Sequence, residues 1–79
     1  MGHTFTFGDI EKICRSLRML PRGKGSRYWI GIGLDGTMRR TRLDSHGLGR
    51  VVAIGTARRI ARQLLFRDQE EMYRYLQSL

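Results

Sequence analysis

The sequence predicts a small α+β domain built from a helix, an antiparallel sheet of two or three strands, a second helix and a short C-terminal helix. Three observations lead there. Ile10, Ile13, Cys14 and Leu17 recur at the spacing of one helical face. Residues 26–34 switch to strict alternation and run into Asp35-Gly36, a strong hairpin signal. Ala57, Ile60, Ala61 and Leu64 restore the helical period. A length of 79 residues makes one domain, spanning 1–79, near the size where a single apolar core gives only a few kcal/mol of net stability. The apolar content and the scattered aromatics Phe5, Phe7, Tyr28, Trp29, Phe66, Tyr73 and Tyr75 argue for a folded unit.

The first helix begins near Thr6, whose hydroxyl can cap a first turn ending at Asp9. Its stripe continues to Leu20, Cys14 reads as a small core residue, and Pro21 is the stop. A short first strand fits near Met19–Arg22, followed by a basic stretch. In the next strand Tyr28, Ile30, Ile32 and Leu34 share one face, with Arg27, Trp29, Gly31 and Gly33 on the other. Gly31 and Gly33 leave room for a close approach, by a packed helix in preference to a ligand. After the turn, Met38–Leu43 returns with Arg40 and Arg42 on one face and Arg39, Thr41 and Leu43 on the other. Residues 44–53 read as a loop, ending in the apolar segment Val51–Ile54. Gly55-Thr56 opens the second helix, and Asp68 the third, with Met72, Tyr75, Leu76 and Leu79 as its apolar face.

Several function classes are excluded. Gly31, Gly33 and Gly36 match a dinucleotide-binding spacing, but that mechanism needs a helix after the turn, and Thr37–Leu43 has no continuous apolar helical face. The stretch Arg22–Arg27 is not an ATP-binding loop, because Gly25 separates Lys24 from Ser26 and no glycine stands at the loop's start. With one cysteine and no Cys/His pairing at zinc spacing, neither an internal disulfide nor a metal or other cofactor is expected, and a reducing cytoplasm is. No segment has the length of a membrane span, and Met1–Phe7 lacks the apolar core of a signal peptide.

Charge carries the functional signal. The formal net charge is +8, and between Lys12 and Arg62 thirteen basic residues stand against only Asp35 and Asp44. The remaining acids fall at predicted helix starts, where they suit the helix dipole, so they have a structural reason that the cations lack. Arginine outnumbers lysine thirteen to two, which favours recognition of phosphate or carboxylate. The sharpest phosphate signal is the opening of the second helix, where free amides at Gly55–Arg58, with the Thr56 hydroxyl among them, meet Arg58, Arg59 and Arg62. Lys24, Ser26 and Arg27 form a basic loop able to grip an RNA backbone, and Arg40 and Arg42 make one hairpin face cationic. His46 is the candidate general base or acid, the other histidine lying in Met-Gly-His at the N-terminus.

The order of elements, with A-R-R-I-A-R opening the second helix, is similar to double-stranded-RNA-binding domains. Lys24-Gly25-Ser26, the hairpin, His46 and the run Gly55–Leu64 resemble more closely the HicA family of small toxin ribonucleases, over about residues 9–76. That resemblance implies an mRNA endoribonuclease working with a HicB antitoxin, a partner expected over Lys24, Arg27 and His46 with Tyr28 and Trp29 as candidate anchors. The family's catalytic histidine falls at Arg27 or Tyr28, and neither is histidine. Arginine stays protonated and is no ordinary base. Either His46 transfers the proton, with Lys24, Arg27 and Arg42 stabilising the phosphorane, or the protein binds RNA without cutting it.

Overall fold

The computed structural model describes residues 4–23, 28–33, 35–43, 47 and 49–79. Three helices, α1 (Phe7–Ser16), α2 (Ile54–Gln63) and α3 (Gln69–Gln77), accompany three strands, β1 (Leu20–Arg22), β2 (Tyr28–Ile32) and β3 (Met38–Arg42), in the order α-β-β-β-α-α. The strands form one antiparallel sheet with β2 in the centre. The fold is α+β, with the expected layout.

Local chemistry explains where α1 starts. The Thr6 hydroxyl accepts from the Asp9 amide at 3.1 Å, and the Asp9 carboxylate accepts from the Thr6 amide at 2.9 Å, a reciprocal cap that satisfies two donors of the first turn. Its end differs from the expectation that the stripe runs to Leu20 and stops at Pro21. The helix closes at Ser16 because Arg18 turns into the left-handed region (φ 62°), with its amide on the Arg15 carbonyl and the Met19 amide on that of Cys14. Met19 thereby takes the buried place assigned to Leu20, and Leu20 lies exposed in β1. The same pattern ends α2: Leu65 (φ 67°) bonds to Arg62, and Phe66 to Ala61. Both are Schellman closures built without glycine.

Trp29, Thr41 and Leu43 face the helices and are buried, together with Phe5, Ile10, Ile13, Cys14, Val52, Ile60, Leu64 and Met72. Gly31 sits on that face beneath the turn after α1. A Cβ there would lie 2.5 Å from the Arg18 carbonyl oxygen and 2.7 Å from the Met19 Cα, so the close approach is made by the backbone leaving α1. In the hairpin, Gly36 (φ 76°) completes the Asp35-Gly36 turn and donates to the Gly33 carbonyl at 2.9 Å. The expected ends of the second strand, at residues 26, 27 and 34, lie outside the described residues.

Residues 49–53 approach α1 rather than standing free: Val51 bridges Thr6, and the Val52 amide donates to the Phe5 carbonyl at 2.7 Å. Helix α2 begins at Ile54, one residue before the expected start. Asp68 caps α3 through the Glu71 amide, as its position predicts. Met72, Tyr75 and Leu76 turn inward, whereas Leu79 lies beyond the helix and is exposed, so it is not part of the core face. No helix among the described residues is long and apolar enough to cross a membrane.

Candidate functional site

Strand register settles which cations gather. Arg42 pairs with Tyr28, and Arg40 with Ile30, so the two arginines and the tyrosine project from the sheet face opposite the helices. Both guanidinium carbons stand over the Tyr28 ring, at 5.6 Å for Arg40 and 5.7 Å for Arg42 from its centroid, within cation–π range. Tyr28 keeps over a third of its surface open.

Helix α2 brings a third cation to the same edge. Its buried residues Ala57, Ile60 and Ala61 fix its rotation, and Gln63 on one flank accepts a 2.7 Å hydrogen bond from the buried Thr41 hydroxyl. Arg59, one turn earlier on that flank, donates from Nη2 to the Arg42 carbonyl at 3.3 Å. Tyr28, Arg40, Arg42, Arg59 and Gln63 thus line a cleft of about 320 Å³ over the edge of β3. Thr56 follows the same flank by its three-residue spacing from Arg59 and is half-buried.

The other predicted residues divide in two. Arg58 and Arg62 are exposed but, four residues apart, form a separate stripe on the far side of α2 from β3. Lys24, Ser26, Arg27 and His46 lie outside the described residues. The open amides of α2 are also shifted: the Ala57 amide already donates to the Ala53 carbonyl at 2.8 Å, so they end at Thr56 and not at Arg58. Ala53, the cap residue, has no side-chain oxygen to offer them.

The described carboxylates are engaged elsewhere. Asp9 and Asp68 cap helices, and Glu71 accepts from the Arg67 amide at 3.1 Å. Glu11 pairs with Arg15 and Glu70 with Arg74. Asp35 takes two bonds from Arg39, at 3.0 and 2.9 Å. That guanidinium, with the Thr37 amide, holds the Asp35 carboxyl well below the usual carboxylate range. Arg39 also donates from Nε to the Leu64 carbonyl at 3.0 Å, binding the hairpin to the end of α2, so it is a structural cation. Among the described residues Arg40, Arg58, Arg59 and Arg62 carry no ion pair.

Two aromatics weighed as partner anchors separate here. Trp29 is 2% exposed, with the Arg15 guanidinium 5.4 Å from its ring centroid, and is a core residue. Tyr28 is accessible. Sequence reasoning gave Gln63 no binding role and Tyr28 only that of an anchor for a protein partner, because the β2–β3 register that puts Tyr28 on the face of Arg40 and Arg42 is not fixed by alternation within either strand. A second groove, about 540 Å³, runs between the end of α1 and β1 past Arg15, Arg18 and Pro21, and shares none of these cations. No group of His, Cys, Asp and Glu suited to a metal ion occurs among the described residues. No family model, curated protein or solved structure matches the chain.

Proposed function

We propose that the protein is a cytoplasmic RNA-binding protein that engages the phosphate backbone through Arg40, Arg42 and Arg59, with Arg58 and Arg62 offering a second phosphate contact on the far side of α2. The observation that carries this reading is the convergence of cations from two elements on one cleft while the described carboxylates are committed elsewhere. Such an arrangement is the footprint of a polyanion, and guanidinium forks match phosphate oxygens. The resemblance to HicA toxins adds an endoribonuclease reading, with His46 as the proton-transfer group and a HicB-like antitoxin that covers the basic face.

Binding is then dominated by counterion release. With roughly four to six phosphates contacted, raising salt from about 50 to 200 mM weakens affinity by about two to three decades. Fluorescence anisotropy with labelled RNA measures this, and Arg42→Ala and Arg59→Ala each shallow the salt slope by about one. A flat salt response sinks the proposal. Incubating wild type and His46→Ala with the same RNA decides the catalytic part: equal cutting by both removes His46 from the mechanism, and no cutting by either leaves a binding module.

A further inference from the structure

The sheet face opposite the helices remains uncovered by any described element. Across the three strands it reads Arg22–Tyr28–Arg42, then Leu20–Ile30–Arg40, then Ile32–Met38. Leu20, Ile32 and Met38 are each close to 60% exposed, an unusual cost for three large apolar side chains on one small sheet. Phosphate recognition accounts for the arginines. It leaves the open tyrosine and its apolar neighbours without a reason.

Unpaired nucleobases supply one. A base freed from a duplex presents two apolar π faces and stacks on aromatic rings and guanidinium planes, while its phosphates need cations nearby. Tyr28, over a third of its surface open and with the Arg40 and Arg42 guanidinium carbons of β3 at 5.6 and 5.7 Å from its ring centroid, offers a stacking surface of ring and guanidinium planes. A duplex offers no free base face to such a surface, and an acidic peptide gains little from an aromatic ring already flanked by cations. We infer that this open sheet face is a stacking platform for single-stranded RNA, with Tyr28 and its two arginines receiving a base, Ile32 and Met38 a base further along the RNA, and Arg22 and Arg59 the flanking phosphates. This inference rests on the RNA-binding reading and adds strandedness and a base contact to it.

The test compares three RNAs of equal length, about twelve nucleotides, at one salt concentration: a single strand without self-complementarity, the same backbone without bases, and a duplex. A polyglutamate peptide of matching charge is the fourth probe. The intact single strand is expected to bind about tenfold more tightly than the abasic strand, in keeping with one stacked base. Tyr28→Ala removes that preference and Tyr28→Phe retains it, whereas Arg59→Ala weakens the intact and abasic strands alike. Methionine methyl NMR locates the contact: Met38 shifts on addition of the single strand, while the buried Met19 and Met72 stay in place. Equal binding of intact and abasic strands, or of the duplex and the single strand, overturns the platform and leaves backbone binding standing. Polyglutamate binding as tightly as the single strand overturns it in favour of an acidic protein, and binding of no RNA at all removes the RNA reading as well.

Discussion

The Thr41 hydroxyl donates to Oε1 of Gln63 at 2.7 Å, fastening the middle of β3 to the last turn of α2. Thr41 is 1% exposed, while Gln63 faces solvent. Replacing Thr41 by Val keeps the shape and removes the donor, and Gln63 can turn to water, so the expected loss is about 1 kcal/mol, read from the denaturation midpoint. Gln63→Ala in the Thr41→Val background is expected to cost less than in wild type, the mark of a coupled pair.

Gly31→Ala is expected to be among the most damaging small substitutions in the chain. The added methyl meets backbone on the opposite side, at 2.5 Å from the Arg18 oxygen, and backbone cannot rotate away as a side chain does. The cost is about 1–3 kcal/mol, measurable by thermal or chemical denaturation.

Arg18→Gly and Leu65→Gly run the other way. Each residue holds a left-handed conformation that costs a side-chain-bearing residue about 1–2 kcal/mol, and glycine relieves it while giving back part of the gain through the unfolded chain. A net stabilisation of about 0.5–1 kcal/mol is expected at each position, and a lower melting temperature in both variants would contradict the assignment of these turns.

The hairpin has its own pH response. The Arg39 guanidinium, then the Thr37 amide, lower the Asp35 carboxyl pKa in the folded state. A carboxyl depressed by folding contributes fully above its unfolded pKa of about 4, and the contribution fades as pH falls toward the folded value. Carboxyl carbon NMR should show Asp35 still ionised at a pH where an unstructured aspartate is half protonated. In Arg39→Lys the midpoint should move up, because a point charge replaces the two-bond fork.

How much of this was legible in the chain depends on which signal each element carries. Thr6, Asp9 and Asp68 announce helix starts because capping is local chemistry between residues three apart. The Asp35-Gly36 turn and the sharing of a face by Arg40 and Arg42 follow from alternation alone. The ends of α1 and α2 were hidden, since Arg18 and Leu65 bear no mark of a left-handed turn and tertiary packing imposes it. Leu20 and Met19 exchange roles for the same reason. The cleft required a relationship between α2 and β3 that no sequence spacing encodes, and Thr41–Gln63 supplies it.

Cys14 lies with no exposed surface on α1, and burial, with the Glu11 charge adding to it, pushes its thiol up to about 12. At neutral pH such a sulfur is protonated and out of reach, so an alkylating reagent labels it only in the moments when the core around α1 opens. The chain therefore carries its own stopwatch, whose rate counts openings of the core without any added probe. Anything that binds the closed form alone slows that stopwatch in proportion to its occupancy, whichever face it chooses.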